Sequence, residues 1–338
     1  MDERVPTDLL RLYPSHVQPI GSISALGNAG GLSGARLWRY RSDLGEMACR
    51  AWPTDGPTPD RLATIHRWLD LCRALRFVPI PVAALDGTTF HVREGRLWEL
   101  APWLPGAPCV DQIPGRARLV SALQALARVH VALSGETTRS TSPGLARRVR
   151  ELQELECTGF ARIAESLQGR PDDPIVPLAR RWMTLARVQV PRLLPWLLDR
   201  SRLEVTLQPC FRDARPEHFL FEGDSITGLV DFGAMGIETV AVDLARLLGE
   251  WLDGSPAARA EVLAAYADVR PLDDSELALI EAFAAVADVL IAGHWISWTY
   301  LESRRFDSTA SVTLRVRKGL ARLERLSAAT TPSLPGPR

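Results

Sequence analysis

The periodicity of the apolar residues changes once along the chain, at Pro105-Gly106, and that change limits the fold more than any other feature. Before it, from Ile20 to Trp103, apolar residues come in short β-like runs split by glycine: ISAL, ARLWRYR, EMACRAW, TTFHV and RLWELAPW. One helix interrupts them at Thr58-Pro59-Asp60, where threonine caps, proline takes the first turn and aspartate suits the positive end. Its apolar positions Leu62, Ile65, Leu69, Cys72 and Leu75 recur at three and four, which predicts one core-facing stripe beside a small antiparallel sheet. After Pro105-Gly106 the pattern predicts long amphipathic helices, approximately at 112–134, 142–166, 173–199, 238–252, 255–268, 274–304 and 308–328. Between the third and fourth lies a compact β and loop region, LEVTLQPCFRDARPEHFLFEGDSITGLVDFG. The expectation is an α+β chain of two lobes: a β-rich N-lobe over 1–101 with one helix, a mainly helical C-lobe over 102–328, and a disordered tail over 329–338.

Composition removes several alternatives. Forty basic and forty acidic residues in 338 give a formal net charge of zero, so no nucleic-acid partner is expected. The basic residues are almost all arginine, with Lys318 the one lysine and Asn28 the one asparagine. A phosphate-binding G-x-x-x-x-G-K-[ST] loop is excluded, because Lys318 sits in RVRKGLAR with no glycine loop before it. Five scattered cysteines with no C-x-x-C pair, in a sequence showing no signal peptide, fit a reduced, cytoplasmic protein. The most apolar stretch, Ala282 to Trp298, is broken by Asp288 and His294, which predicts a buried helix and no membrane partner.

Chemistry concentrates in the β insert. In FRDARPEH a β run ends in a loop carrying Asp213, and five residues later His218 opens a second run. In ITGLVDFGAMG an apolar strand ends at Asp231, followed by Phe232-Gly233. A hairpin of strands 218–222 and 226–230 would gather Asp213, His218 and Asp231 around one cleft. Two carboxylates at strand ends suit metal-assisted phosphate chemistry, one holding a divalent cation and one taking or orienting a hydroxyl proton.

These segments resemble the catalytic loop and D-F-G segment of the protein-kinase-like fold, in the branch of aminoglycoside phosphotransferases and choline kinases. That branch reads H-G-D-x-x-x-x-N, then an apolar strand ending in D-F-G or D-x-D, then a helix with D-L-A. Here Phe211-Arg212-Asp213, four residues, His218, then Asp231-Phe232-Gly233 and Asp243-Leu244-Ala245 follow the same spacing, and the lobe order matches over about residues 20–325. The resemblance implies a nucleotide-covering loop at Gly27 to Gly34, with Gly30, Gly31, Ser33 and Gly34 near phosphate. It places the family's strand lysine at Arg50, its helix glutamate at His66, and an adenine-binding hinge backbone around Glu99 to Ala101. Arginine keeps the charge and can grip phosphate bidentately. Histidine for glutamate removes an anionic partner, which would leave Arg50 freer to face an anion. His218 stands where the family has its metal-binding asparagine, and its nitrogen suits Mn²⁺ better than Mg²⁺.

Each feature also has a plainer reading. Alone, Asp213 is a loop-capping aspartate and Asp-Phe-Gly a turn; together, one strand apart, they favour catalysis and metal binding. His218 reads equally as a strand-start histidine, Arg50 as a strand residue reaching solvent, and His66 as a hydrogen-bonded neighbour of its helix stripe. Asp243 reads as a brace for the catalytic loop, His130, Trp295 and Trp298 as core residues, and His294 and Tyr300 as candidates for an acceptor pocket. The resemblance implies an ATP-dependent and Mg²⁺- or Mn²⁺-dependent phosphotransferase acting on a hydroxyl of a small polar molecule. Asp213 would be its base or hydroxyl orienter and Asp231 with His218 its metal ligands. The alternatives are a silent kinase-like nucleotide- or metabolite-binding protein and a nucleotidyl transferase.

Overall fold

The computed structural model describes residues 5–27, 34–110, 114–252, 256–304, 306 and 308–328. Gly30, Gly31, Ser33 and the 329–338 tail lie outside the described residues.

The N-lobe opens with a one-turn helix α1 (Thr7–Leu10), followed by β1 (Ser24–Gly27), β2 (Arg36–Ser42), β3 (Gly45–Ala51), α2 (Pro59–Leu71), β4 (His91–Arg93) and β5 (Arg96–Pro102). The strands form one antiparallel sheet in the order β1-β2-β3-β5-β4. Alternation along β3 buries Met47, Cys49 and Ala51 on one face and turns Ala48 and Arg50 to the other. On the buried face, Trp38 and Trp98 stack at 5.1 Å, and the N-terminal segment covers them with Leu9, Leu10, Tyr13 and Val17. The sequence pattern did not show this cover, because a four-residue helix is too short to display a period. Helix α2 starts as expected: Thr58 Oγ1 accepts from the Arg61 amide at 3.3 Å, and Leu62, Ile65 and Leu69 are buried.

The C-lobe runs β6 (Ala107–Pro108), α3 (Arg116–Ala132), β7 (Thr138–Thr141) and α4 (Pro143–Glu154). A π-helical turn (Leu155–Gly159) joins α4 to α5 (Phe160–Ser166), and the long α6 (Ile175–Arg200) follows. Next come β8 (Glu204–Cys210), β9 (Phe219–Glu222), β10 (Ser225–Leu229) and β11 (Gly236–Glu238). Helices α7 (Ala241–Trp251), α8 (Pro256–Ala267), α9 (Asp274–Tyr300) and α10 (Thr309–Ala328) complete the lobe. The expected β9–β10 hairpin is present and antiparallel, with β6 on its far side; β8 lies between β7 and β11.

A single large core joins these helices, with Trp182, Tyr266, Phe283, Val286 and Ile296 at or near complete burial. Helix α9 is the one helix among the described residues long and apolar enough to cross a membrane. Half of its apolar window is buried against its neighbours, and Gly293 lets the indole of Trp182 approach its backbone.

Candidate active site

The site is built on a buried acid. Asp243, in the first turn of α7, has no solvent exposure and accepts from the backbone amides of Phe211 (2.9 Å) and Arg212 (2.6 Å). Its Oδ2 also lies 3.1 Å from His130 Nε2, while His130 Nδ1 meets the Tyr266 hydroxyl at 2.7 Å. The carboxylate therefore pins the loop leaving β8, as the bracing reading expects. Pinning matters because Arg212 stands at φ 65°, in the left-handed region that disfavours a side chain.

The turn after Arg212 delivers Asp213 into the cleft, where its carboxylate is one-quarter exposed. Arg246 Nη2 from α7 sits 3.1 Å from Oδ1, and Arg215 Nε 3.3 Å from Oδ2. Arg215 also reaches Glu217 at 3.1 Å. The pattern of the sequence did not single out either arginine. Arg215 lies two residues past the aspartate, and Arg246 lies one helical turn past Asp243 on the same face.

His218 sits between the two aspartates. Its Nδ1 is 2.8 Å from the Asp213 carbonyl oxygen, which can only accept, so Nδ1 carries the proton and donates. In the neutral ring Nε2 is then a lone pair, and it lies 3.6 Å from Asp231 Oδ2. A backbone carbonyl that fixes the tautomer while the other nitrogen faces a carboxylate is the usual support of a metal-ligating histidine. Asp231 itself stands at φ 66°, ψ 60°, which aspartate tolerates better than most residues, and its side chain is 40% exposed to the cleft. Asp231 and His218 thus offer an oxygen and a nitrogen donor that fit a divalent cation.

Across the cleft, Arg50 Nη1 reaches Asp231 Oδ1 at 3.4 Å, and its guanidinium lies 5.0 Å over the Trp52 ring. The expectation that Arg50 lacks an anionic partner is corrected by Glu99, whose Oε1 is 3.8 Å from Arg50 Nε. Glu99 sits opposite Arg50 in the β3–β5 register. His66 Nε2 is 2.8 Å from Glu99 Oε2 and its Nδ1 2.6 Å from Thr89 Oγ1. His66, where the resemblance expects an acid, thus holds an acid supplied by β5. Burial acts to raise the Glu99 pKa, but the His66 hydrogen bond and the Arg50 charge outweigh it and hold the carboxyl below its usual value.

The same register engages the backbone of Glu99 and Ala101, the expected hinge residues. Trp52 donates to the Leu97 carbonyl and Trp103 to that of Glu46, both at 2.8 Å, so the odd residues of β5 spend their backbone groups on β3. The other edge is closed at Leu100, whose carbonyl accepts from Val82 at 2.8 Å. Of the nucleotide loop, Gly34 is described and adopts φ +69°, a conformation open to glycine. His294 is half-exposed on α9, stacks on Trp298 and faces Glu151 at 3.4 Å, while Tyr300 is buried at the end of that helix.

This geometry agrees with three comparisons. The profile of the APH phosphotransferase enzyme family matches residues 24–280, so the chain belongs to that family. A homoserine kinase of Gluconobacter oxydans (strain 621H) is 26% identical over 257 residues, covering 73% of this chain and 72% of that protein. Among solved structures, an aminoglycoside phosphotransferase from Alicyclobacillus acidocaldarius subsp. acidocaldarius DSM 446 superposes with a TM-score of 0.63 at 15% identity, covering 97% of each chain. An amicoumacin kinase in complex with AMP-PNP, Ca²⁺ and Ami gives 0.58 at 14% identity, covering 93% of this chain and 91% of that one. A microcompartment-associated aminopropanol kinase gives 0.57 at 16%, covering 93% and 95%. These likenesses establish the protein-kinase-like fold. By family, the chain is a small-molecule hydroxyl phosphotransferase.

Proposed function

We propose that the protein transfers the γ-phosphoryl group of ATP to a hydroxyl of a small polar molecule, with Asp213 as the residue that receives or orients the hydroxyl proton. The observation that carries this reading is the position of His218, whose Nδ1 meets the Asp213 carbonyl at 2.8 Å while its Nε2 lies 3.6 Å from Asp231 Oδ2, so that both aspartates share one cleft. In the transfer, the acceptor oxygen forms the new O–P bond, the bond between the γ-phosphorus and the β–γ bridging oxygen breaks, and ADP leaves. The hydroxyl proton passes toward the Asp213 carboxylate.

Asp231 and His218 would hold a divalent cation, which when bound supplies charge neutralisation at the transferring phosphate. The nitrogen donor favours Mn²⁺ over Mg²⁺. Arg50 and the loop residues Gly30, Gly31, Ser33 and Gly34 would meet the phosphates, and Glu99 with His66 would keep Arg50 aimed at them. Adenine would lie against Pro102 and the connector that follows. Five free cysteines, one of them exposed, support a reduced cytoplasmic setting.

The test is ADP release from ATP with Mn²⁺ or Mg²⁺ across an acceptor panel, for wild type and Asp213→Asn. Asp213→Asn is expected to lower kcat by about 10²–10⁴-fold while ATP affinity stays within a few-fold. Equal turnover by the two proteins would remove Asp213 from this role, and ATP binding without any transfer would favour the silent, ligand-binding reading.

A further inference from the structure

Beside Asp213 lies a small pocket lined by three arginines and one acid, Glu250. Arg246, which grips the Asp213 carboxylate, also forms one wall of it; Arg148 of α4, Glu250 of α7, Phe283 and Ile291 of α9, and Arg322 of α10 are among the others, and Glu250 lies on the Arg322 side at 3.9 Å from that guanidinium. Its open space is about 20 Å³, enough for one water or one small group and too little for the body of a substrate.

Three arginines meet there, and Arg148 is the one without an ion pair among the described residues. Arg322 is satisfied by Asp288 at 2.7 Å, with Glu250 at 3.9 Å. Arg246 shares Asp213 with Arg215, and its Nε is buried without a hydrogen-bond partner among the described residues. Arg148 forms no ion pair among the described residues; its guanidinium lies 4.7 Å over the Phe283 ring. The acids closest to Arg148 are committed elsewhere. Glu151 faces Arg147 (3.5 Å) and His294 (3.4 Å), and Glu238 accepts from the Ser142 hydroxyl and the amides of Gly144 and Thr239. Desolvation, and then the charge of Arg246, push the Arg148 pKa down to about 10, which still leaves it a cation at neutral pH. Glu151 and Glu238 offset part of this from a distance; a desolvated cation with no ion pair is still costly, and an arriving anion lessens that cost.

We infer that the acceptor is a hydroxy acid, whose carboxylate enters this pocket between Arg148 and Arg246 and so presents its hydroxyl to Asp213. The inference rests on the phosphotransferase reading and adds the acceptor class to it. Planar guanidinium groups match a carboxylate in shape as well as charge. The same cations repel a cationic acceptor such as an amino sugar. Arg148 is a specificity residue here, since it meets the far end of the acceptor and does not touch the reacting oxygen.

The experiment measures ADP release with ATP and Mn²⁺ on the full chain. Acceptors are L-homoserine, L-serine and D-glycerate, their primary amides, and the cationic pair kanamycin and 1-amino-2-propanol. Nucleotide binding is titrated separately. The expected result is transfer to at least one carboxylate acceptor with kcat/KM about 100-fold or more above its amide, worth about 2.7 kcal/mol. Arg148→Gln is expected to raise the KM for that acceptor tenfold or more while kcat, ATP affinity and thermal midpoint hold. Transfer to the amides or cationic acceptors at equal or better efficiency overturns the inference and leaves the phosphotransferase reading standing. Silence from every acceptor, or an Arg148→Gln enzyme with an unchanged KM, also overturns the inference. A chain that binds no ATP removes the underlying reading as well.

Discussion

Asp231 and Arg212 both stand in the left-handed backbone region, and both flank the cleft. Strain of about 1–3 kcal/mol persists at such a residue only where its surroundings impose it; for Arg212 the Asp243 hydrogen bond does so. His218 leads to a prediction on metal choice. Its Nε2 is the one nitrogen beside Asp231 Oδ2 in the arrangement described above, so His218→Asn exchanges a nitrogen donor for the amide oxygen that the family pattern carries. Activity with Mg²⁺ relative to Mn²⁺ is expected to rise severalfold, and His218→Ala to lose activity with both; kinetics over the two metals check it. Glu99 leads to a prediction on pH. Its folded pKa lies below the ordinary 4.5, so its ionised form stabilises the N-lobe above that value, and the contribution fades as pH falls through the lower, folded pKa. Glu99→Gln should therefore flatten the acid limb of thermal stability below about pH 4.5 and weaken ATP binding at neutral pH. Asp213, His218 and Asp231 were legible in the sequence because they lie within one short stretch at fixed spacing. The partnership of Glu99 with Arg50 was not, because it depends on cross-strand register, which spacing along the chain does not report.

At the scale of elements, legibility follows length. The long helices were visible through their apolar period, to within a few residues of the observed ends. The short strands β6, β7 and β11 and the one-turn α1 were not, since two to four residues cannot display a period. They matter all the same: β11 pairs with β8 and fixes the loop that carries Asp213. Helix α7 then couples packing to the cleft, because its Asp243 holds that loop and its Arg246 reaches the Asp213 carboxylate. Asp243→Ala would leave the Phe211 and Arg212 amides without their acceptor, at about 1–3 kcal/mol for each buried group. The expected loss is about 2–5 kcal/mol of stability, a fall of roughly 5–15 °C in Tm. Calorimetry measures this directly, and a variant that melts with the wild type would show that Asp243 does not hold the loop.

For the whole molecule, the relation of the two lobes turns on a contact that no motif announced. A Cβ built on Gly233 would meet Trp52 Cη2 at 2.7 Å, so the indole at the end of β3 rests directly on the Asp-Phe-Gly turn. That indole also lies under the Arg50 guanidinium, and Arg50 reaches back to Asp231. Trp52, Gly233, Asp231 and Arg50 therefore form a closed loop of contacts across the cleft, and a methyl group added at Gly233 must displace one of them. The Trp52 ring is stiff and packed against Leu62 and Leu97, so the displacement falls on the lobe spacing and on the Arg50–Asp231 pair. Gly233→Ala is expected to weaken ATP binding about tenfold, worth about 1.4 kcal/mol, with a fall in Tm of only a few degrees, because the large C-lobe core is untouched. Trp52→Phe withdraws the outer ring atoms, so the double variant should recover most of the lost affinity, and nucleotide titration of the four proteins closes the cycle. If the losses of the two single variants simply add, the lobes are not coupled through this contact, and the glycine's place in the turn would owe nothing to the indole.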